Sequence, residues 1–538
     1  MDQITKHRVD RAAEELIASI DPKKVCELAS SFHPSKTPCR ILSVWKKGSF
    51  NVCFPVIFNQ DPKSMEGEKW MVRIPLLPRL AFPEEKMRSE VATMKYIAEK
   101  TTIPIPCLYG YSINSDNILG LPFMLMGYVE GKSLAGIEIQ NLERSTREHL
   151  YSQLADVYIQ LHHQQFDRIG ALTLDENDNW VFAHNRPISV DINEQEVAGL
   201  DFCSRFLPPQ QTFTSTIDYV YLIFRIIYND YYRGPDSIMN EGDARAYRYG
   251  IWAGQGIAME WVRSEYNHGP FILMHGDLRP PNIFIDDNFN ITSILDWEWS
   301  HTVPIQMFAV PPYWLTNHEV LELGNASLSA HYTAAALDFT TSLYERLDKC
   351  HNPKRLPRLE LPMSKIWSKH ADDEVNRSVA YGLLKPHYFG NVYSKALDRS
   401  YYGQDLVGRV EAFFKLKIRQ PELEIVKQKV VELARFEKER QELGIEPRLT
   451  LGAPLLPEEE AERLKWLEMG GEEGYKAQIQ KEVDAKMARI HELLRRKREL
   501  DELNALATRP HSWWPLIGIG AYLVYIVNMK GKLSYGRY

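Results

Sequence analysis

The chain has 538 residues, of which 44% are hydrophobic and 25% are charged; this balance is typical of a globular protein and excludes collagen-like, mucin-like and wholly disordered chains. Its 64 Lys and Arg residues against 71 Asp and Glu residues give a formal net charge of −7. No overall positive field is therefore available for a phosphate backbone, and we predict no nucleic-acid partner.

The N-terminal residues 1–39 are predicted to form a helical segment. They contain no apolar run that would serve as a signal peptide, and the acidic residues Asp2 and Asp10 argue against a mitochondrial presequence. The six cysteines of the chain include no C-x-x-C pair, which favours reduced thiols over disulfides or a zinc site. We therefore expect a cytoplasmic protein.

Residues 40–130 form a strand-rich unit in this interpretation. Two apolar runs flank the turn at 46–51, which favours a hairpin built around Gly48. A third short strand follows at 70–74, and all three precede a helix.

The helix of this unit starts near Pro83, and two further strands are predicted at 107–112 and 123–128. Its apolar residues recur at helical spacing and form a stripe that we expect to face the core: Met87, Val91, Met94 and Ile97. The predicted order is strand, strand, strand, helix, strand, strand.

A mainly helical lobe is predicted over 131–420. Leucine and valine residues at helical spacing mark its first helix from about Leu150 to Leu161. One strand-like segment, 271–294, interrupts the helices, and a Pro-rich connector at 351–362 precedes further helix.

Residues 421–538 are predicted to form a charged helical extension, with a Pro/Gly linker at 444–457 and no identified protein partner. The basic cluster at 495–498 stands among acidic residues, which favours a solvated helix face. The apolar stretch at 515–527 is shorter than the roughly 20 residues of a membrane-spanning helix. We therefore favour a buried helix or strand there, with membrane association as the alternative.

The candidate chemistry lies in two segments, 274–285 (MHGDLRPPNIFI) and 293–298 (SILDWE). Asn282 follows Asp277 by five residues, and Asp296 follows Asp277 by 19 residues at the end of an apolar strand. Phosphoryl transfer requires such a set, because one carboxylate orients and deprotonates the acceptor hydroxyl while the other groups hold Mg²⁺ on the nucleotide phosphates. We predict Asp277 as the catalytic base and Asn282 and Asp296 as metal ligands, and we group Arg279 with Asp277 as a catalytic candidate.

Each of these residues also has a purely structural interpretation. Asp277 and Asn282 belong to the residue types that are common in turns, and Asp296 could cap the next helix. Their combination with Gly276, Arg279 and flanking apolar strands favours the functional interpretation. The neighbouring His275 is predicted to brace the loop through backbone hydrogen bonds rather than act as the base.

These segments resemble the aminoglycoside phosphotransferase-like (phosphotransferase enzyme) family of the protein-kinase-like fold, most closely its members from filamentous fungi. The resemblance covers roughly residues 40–345, and HGDLRPPN and LDWEWS are its most specific parts. It implies an α+β bilobal kinase-like fold, with an antiparallel five-stranded N-terminal lobe and a mainly helical C-terminal lobe. It also implies ATP and Mg²⁺ as cofactors and phosphorylation of a small-molecule hydroxyl. By position, Asp277 matches the family's catalytic base, and Asn282 and Asp296 match its metal ligands.

Two N-terminal features are further candidates for nucleotide binding. In the turn at 46–51, Gly48 would let backbone N–H groups approach the triphosphate, and Ser49 could donate to a phosphate oxygen; an ordinary hairpin turn is the alternative. At the junction of the lobes, Met126 to Tyr128 would by resemblance form the nucleotide hinge, although core packing explains these side chains equally well.

Arg73 and Glu90 are predicted to form an ion pair near the phosphates. Arg73 stands on the third strand, where the protein-kinase pattern has Lys, and remains a plausible contact for the α- and β-phosphates. Glu90 lies on the apolar stripe of its helix, where an unpaired carboxylate would cost several kcal/mol, so a cation such as Arg73 is expected beside it. The alternative is that Glu90 flanks the stripe and reaches solvent.

We predict an ATP-dependent kinase that phosphorylates a small hydroxylated metabolite. The alternative from another class is a catalytically weak pseudokinase, a nucleotide-binding scaffold whose tail recruits a partner. The intact set of Asp277, Asn282 and Asp296 favours the enzyme, because a binding module does not need all three. A protein kinase is disfavoured, because PPYWL at 311–315 stands where an A-P-E element would follow. The role of Glu298, two residues after Asp296, is left open.

Overall fold

The computed structural model of the chain describes residues 1–446 apart from 60, 62, 63, 183, 184, 317–325, 351–365, 368, 371 and 372. These residues form an α+β bilobal kinase-like fold, as predicted. The predicted helices after 446, the basic cluster at 495–498 and the apolar stretch at 515–527 lie outside the described residues. Within the described part of the chain, no helix has the length and apolar character needed to cross a membrane.

The N-terminal lobe is built around one antiparallel sheet. Its strands are β1 (Arg40–Ile41), β2 (Lys46–Lys47), β3 (Asn51–Ile57), β4 (Lys69–Pro75), β5 (Leu108–Ser112) and β6 (Phe123–Gly127). The order β1-β3-β4-β6-β5 gives the predicted five strands, and the two-residue β2 also pairs with β3. The first predicted strand is β1, which pairs with β3, whereas β2 lies inside the predicted turn and forms a tighter hairpin with β3 around Gly48.

Both faces of this sheet are buried, as the alternation of side chains along β6 shows. Met124 and Met126 pack with the C-terminal core, whereas Phe123 and Leu125 pack on the opposite face. Helix α3 (Pro83–Lys100) covers the first face with its predicted stripe, which is fully buried. Helices α1 (Gln3–Ser19) and α2 (Pro22–Phe32) cover the other face, so the predicted N-terminal helical segment is part of this lobe.

The C-terminal lobe is mainly helical. Its helices are α4 (Arg144–His162), α5 (Val190–Val197), α6 (Phe202–Phe206), α7 (Thr216–Arg233), α8 (Glu241–Trp261), α9 (Ile305–Phe308), α10 (Ala326–Cys350), α11 (Glu374–Leu384), α12 (Phe389–Val392), α13 (Asp398–Tyr402), α14 (Leu406–Lys415) and α15 (Gln420–Glu442). A π-helical turn, Tyr393–Leu397, connects α12 to α13.

Short strands of this lobe frame the segment that carries the candidate chemistry. They are β7 (Lys132–Ser133), β8 (Gln165–Phe166), β9 (Thr173–Leu174), β10 (Trp180–Val181), β11 (Phe271–Met274), β12 (Ile283–Ile285), β13 (Ile291–Ile294) and β14 (His301–Pro304). Strand β12 pairs with β13 and with β7, and β11 pairs with β14 and with β8. The predicted catalytic segment is thus held between two small sheets.

Gly131 fixes the junction between the lobes. Its φ is +108°, and a Cβ placed there would lie 2.5 Å from the carbonyl oxygen of Ile285. Only glycine accommodates both the left-handed backbone and this close approach. The chain leaving the N-terminal sheet is therefore pressed directly against β12 of the catalytic segment.

Helix α15 packs on the C-terminal lobe. Val426 and Phe436 are buried, and Glu422 forms an ion pair with Arg248 of α8 at 2.5 Å. The ammonium group of Lys429 also donates to the carbonyl oxygen of Gly234 at 2.5 Å. The start of the predicted extension at residue 421 thus falls within a helix that docks on the body, and the division at 420 stays a prediction.

Candidate active site

Asp277 lies in the loop between β11 and β12, and His275 fixes the backbone of that loop. The N–H of Asp277 donates to Nδ1 of His275 at 3.0 Å. Nε2 of His275 in turn donates to the carbonyl oxygen of Leu295 at 2.9 Å. Burial lowers the pKa of His275, so the ring is neutral and can accept at one nitrogen while it donates from the other. The backbone hydrogen bonds predicted for His275 are present.

The carboxylate of Asp277 is held through one oxygen. Nε of Arg279 donates to Oδ2 at 2.6 Å, and the amide nitrogen of Asn282 donates to the same oxygen at 3.3 Å and to the Asp277 carbonyl at 2.8 Å. The Asp277 side chain is 24% exposed. Oδ1 is therefore the oxygen that can face an acceptor hydroxyl.

Asn282 and Asp296 are neighbours across the hairpin of β12 and β13. The N–H of Leu295 donates to the carbonyl oxygen of Asn282 at 2.8 Å, which places Asp296 next to the catalytic loop. Asp296 has a φ of +68°, a left-handed conformation that Asp tolerates better than most residues. The fold thus brings together three positions that the sequence separates by up to 19 residues.

Arg73 joins both lobes at this point. One guanidinium nitrogen lies 3.2 Å from Glu90 of α3, so the predicted ion pair is present. The other nitrogen contacts Asp296, and it lies 3.3 Å from Glu298. The Arg73 side chain is only 7% exposed, which makes these contacts a buried interlobe cluster rather than a surface ion pair.

The sequence interpretation missed a second cation in this cluster, Lys86. Its ammonium group lies 3.0 Å from Glu90 and also contacts Glu298, and its side chain is 1% exposed. Lys86 precedes Glu90 by one helical turn, so both project from the same face of α3. That spacing was the available signal, but a lysine on a helix is far more often solvated than buried.

Glu298 links the cluster to the turn between β2 and β3. Its Oε2 accepts from the amide nitrogen of Asn51 at 3.0 Å. Burial, together with the nearby Asp296 carboxylate, raises the pKa of Glu298 to about 7. The residue whose role was open is therefore a buried contact between the C-terminal lobe and the turn that carries Gly48 and Ser49.

The charges of this buried cluster do not balance by themselves. Glu90, Asp296 and Glu298 supply three carboxylates, against two cations from Arg73 and Lys86. Burial alone would raise the pKa of Asp296, but Arg73 and Lys86 outweigh that effect and hold it below its ordinary value. Asp296 is therefore an anion, and because Glu298, with a pKa of about 7, is partly protonated at neutral pH, the cluster carries an excess negative charge only when Glu298 is ionised.

The donor atoms in this region fit a hard divalent cation. Glu90, Asp296 and Glu298 each offer a carboxylate oxygen, and these oxygens lie within 4.8 Å of one another. The side-chain nitrogen of Asn282 donates to Asp277, so the side-chain oxygen Oδ1 of Asn282 is the atom left for a cation. Oxygen donors of this kind are the ones Mg²⁺ prefers. Asp296 belongs both to this group of carboxylates and to the two metal ligands predicted from the sequence, Asn282 and Asp296.

Trp299 couples the turn between β2 and β3 to the catalytic loop. Its ring packs against Phe50 with centroids 5.0 Å apart. A Cβ placed on Gly276 would lie 2.6 Å from the Trp299 carbonyl oxygen, so the glycine before Asp277 permits this close approach. A displacement of the turn between β2 and β3 would therefore shift Trp299 and, through it, the backbone next to Asp277.

The other predicted nucleotide contacts lie apart from this cluster. Gly48 and Ser49 are exposed, and the N–H of Gly48 donates within the turn to Asn51 at 2.8 Å. Met126 is buried on β6, and the N–H of Tyr128 donates to Lys69 at 3.1 Å. Their roles in phosphate and adenine binding stay predictions.

Replacing Lys86 by Met should destabilise the fold by about 3–5 kcal/mol, because the change leaves buried carboxylates without one of their cations. Lys95→Met is the matched control on the same helix, since the Lys95 side chain is 38% exposed and 3.8 Å from its carboxylate partner. We expect the control to change stability by less than about 0.5 kcal/mol. Chemical denaturation of both variants measures the difference. Equal effects would show that Lys86 is not part of an energetically coupled cluster.

Comparison with known proteins agrees with the family predicted from these residues. Residues 60–305 match the family model described as "Phosphotransferase enzyme family", so the predicted resemblance is confirmed over this part of the chain. A subtelomeric hrmA-associated cluster protein of Aspergillus fumigatus is 26% identical over 164 residues, which is 30% of this chain and 30% of that protein. The chain thus aligns with about a third of the length of this curated relative.

Further similarities are more distant. A protein of Meyerozyma guilliermondii named altered inheritance of mitochondria protein 9, mitochondrial, is 30% identical over 94 residues, 17% of this chain and 15% of that protein. Among solved structures, the alignment with a Plasmodium vivax ethanolamine kinase covers 70% of this chain and 83% of the kinase chain, with 12% identity and a TM-score of 0.34. The alignment with the GDP complex of an aminoglycoside 2′-phosphotransferase covers 70% of this chain and 92% of the phosphotransferase chain, with 15% identity and a TM-score of 0.34.

Proposed function

We propose that this chain, whose residues 60–305 match the phosphotransferase enzyme family, is a kinase that transfers the γ-phosphate of ATP to a hydroxyl of a small molecule. The observation that carries the proposal is the position of Asp277. It lies in the loop before the hairpin of β12 and β13, where Asn282 contacts it and Asp296 contacts Arg73 of the buried interlobe cluster. We further propose a cytoplasmic location and no nucleic-acid partner.

Asp277 would act on the acceptor hydroxyl. Because Arg279 and Asn282 hold Oδ2, Oδ1 is free of these contacts and can accept the hydroxyl proton as the oxygen attacks phosphorus. Arg279 orients the carboxylate, and its partly exposed guanidinium could also reach a phosphate oxygen. His275 holds the loop in place and does not take the proton.

Asn282 and Asp296 would hold Mg²⁺, which when bound neutralises the phosphate charge of the nucleotide. Arg73 and Lys86 would supply further positive charge beside the phosphates, and Glu90 on α3 holds both cations in place. Arg73 lies on β4, which begins beside the hinge and ends beside the turn between β2 and β3, and is the cation best placed to contact the α- and β-phosphates. The turn with Gly48 and Ser49 would close over the triphosphate from above this cluster.

One contact favours the pseudokinase as a second candidate. Arg73 reaches directly to Asp296, so a guanidinium already satisfies the carboxylate that would bind the metal. A scaffold that binds nucleotide without Mg²⁺ could keep this contact. In the kinase, the contact has to loosen when the metal and nucleotide bind.

The test uses the purified full-length chain. We expect a fluorescent ATP analogue to bind more tightly with Mg²⁺ than with EDTA, and we expect ADP release with at least one member of a library of hydroxylated metabolites. Asp287→Asn, in the exposed turn after β12, serves as a control variant with full activity. Nucleotide binding that is independent of Mg²⁺, with no ADP release, would favour the pseudokinase. Failure to bind nucleotide at all would refute both.

A further inference from the structure

A cavity opens beside Asp277 in the C-terminal lobe. Its volume is about 120 Å³, and it is lined by the catalytic loop, α5, α7, α9 and the segment from 310 to 314. Since Asp277 forms part of the wall, the cavity is the place where an acceptor could present its hydroxyl to Oδ1.

The walls of this cavity are mainly apolar. Helix α7 contributes Leu222, Ile223 and Ile226, and α9 contributes Met307 and Phe308. All five are buried hydrophobic residues of the main core. A surface of this kind stabilises a ligand by removing apolar area from water.

The formal charges on the described cavity wall are few, and both of its carboxylates are already paired. Among the described residues that line it, only Asp191, Asp277 and Lys385 carry a formal charge. Asp191 lies 2.6 Å from Nδ1 of His387, and Asp277 lies 2.6 Å from Arg279. A polycationic acceptor would need several uncompensated carboxylates, and the residues that the structure describes on this wall do not supply them.

Two polar groups on the wall point to hydrogen bonds with a neutral molecule. Nδ1 of His301 donates to the Trp299 carbonyl oxygen at 3.0 Å, so Nε2 has to accept from the Tyr219 hydroxyl, 2.9 Å away. The Tyr219 oxygen therefore keeps a lone pair for a ligand donor. In addition, the indole N–H of Trp299 is buried and has no acceptor among the described residues, although buried N–H groups are normally satisfied.

We propose that the acceptor is an uncharged, mainly apolar alcohol that carries a second polar group besides the phosphorylated hydroxyl. The proposal rests on the kinase function proposed above. The acceptor oxygen forms a bond to the γ-phosphorus, the bond from that phosphorus to the β,γ-bridging oxygen breaks, the hydroxyl proton passes to Asp277, and ADP leaves. Tyr219 accepts a hydrogen bond from the second polar group, and the Trp299 indole donates one to the acceptor.

The experiment compares two groups of acceptors with the full-length protein, ATP and Mg²⁺, and follows ADP release. Phenethyl alcohol, tyrosol and geraniol are the neutral probes, and choline, ethanolamine and kanamycin are the cationic ones. We expect kcat/KM for the best neutral probe to exceed that for every cationic probe by at least about 10-fold, as expected when a charge must be desolvated without a partner. Preferential turnover of a cationic probe, or turnover of neither group by a protein that binds Mg·ATP, would overturn the acceptor class. Loss of Mg·ATP binding would instead refute the proposed function.

Tyr219→Phe tests the polar contact separately. Tyrosol differs from phenethyl alcohol by one phenolic hydroxyl, so the variant should lower kcat/KM for tyrosol by about 3- to 10-fold and change that for phenethyl alcohol much less, as expected for loss of one neutral hydrogen bond. Tyr221→Phe, on the same helix but 45% exposed, should leave both values unchanged. Thermal unfolding and the KM for ATP are measured alongside. Equal losses with both alcohols would assign Tyr219 a merely structural role and overturn its part in recognition.

Discussion

Replacing Asp277 by Asn should lower the rate of phosphoryl transfer by about 10²- to 10⁴-fold while Mg·ATP affinity stays close to that of the wild type. The reason is that Asp277 faces the acceptor cavity rather than the interlobe cluster. Asn keeps the volume of the side chain, and the hydrogen bond from Asn282 to the backbone carbonyl at 277 is unaffected. What is lost is the ability to take the hydroxyl proton.

The measurement is single-turnover transfer to the best acceptor, together with equilibrium binding of a fluorescent ATP analogue. Asp287→Asn changes the same chemical group in the turn after β12, where its side chain is fully exposed, and should behave as wild type. Wild-type turnover in Asp277→Asn would remove Asp277 as the base. A parallel loss of nucleotide affinity would place Asp277 at the metal instead of at the acceptor.

Local patterns were sufficient to predict the N-terminal lobe and the catalytic hairpin. The stripe on α3 follows from apolar residues at helical spacing, and the pairing of β1 with β3 follows from the two apolar runs on either side of Gly48; the short strand β2 within that turn was not predicted. The pairing of Glu90 with Arg73 could also be predicted, because a carboxylate on a buried stripe needs a cation and the preceding strand supplies one. Each of these inferences depends on residues close together in the chain.

What the sequence did not reveal depends on contacts between distant segments. Lys86 is buried because Glu298, more than 200 residues later, approaches it from the other lobe. Helical periodicity identifies the face of α3 but does not identify what packs there. The docking of α15 through Glu422 and Lys429 has the same cause. Its charge-dense sequence predicted a charged helical extension, and in the structure Glu422 and Lys429 satisfy two of those charges on the C-terminal lobe.

The acceptor cavity is a second case of distant contacts. Its wall combines Tyr219 from α7, His301 from β14 and Trp299 from the loop between β13 and β14. In the sequence, each of these residues is compatible with ordinary core packing. Only the fold shows that one hydroxyl, one imidazole and one unpaired indole N–H lie along the same cavity as Asp277, so only the fold suggests what kind of molecule it would admit.

Replacing Asp296 by Asn should weaken Mg²⁺-dependent nucleotide binding and turnover together, by on the order of 10²-fold, because a neutral amide is a poorer ligand for a hard cation than a carboxylate. Asn also tolerates the left-handed conformation at this position, where φ is +68°. The variant therefore removes the charge without imposing backbone strain. Asn282→Ala should give an intermediate loss. Binding of the ATP analogue is measured with Mg²⁺ and with EDTA for each variant.

The same variant separates the kinase from the pseudokinase, because Asp296 has two competing partners. In the kinase, the metal takes the carboxylate from Arg73, so Asp296→Asn should reduce the affinity with Mg²⁺ to the value that the wild type shows in EDTA. In a scaffold that keeps the contact between Arg73 and Asp296, the metal never binds, and the substitution should leave nucleotide affinity unchanged in both conditions. It would then lower only the free energy of unfolding, by leaving Arg73 with fewer carboxylate partners. An effect on Mg²⁺-dependent affinity therefore identifies Asp296 as a metal ligand, and an effect on stability alone identifies it as a structural anion.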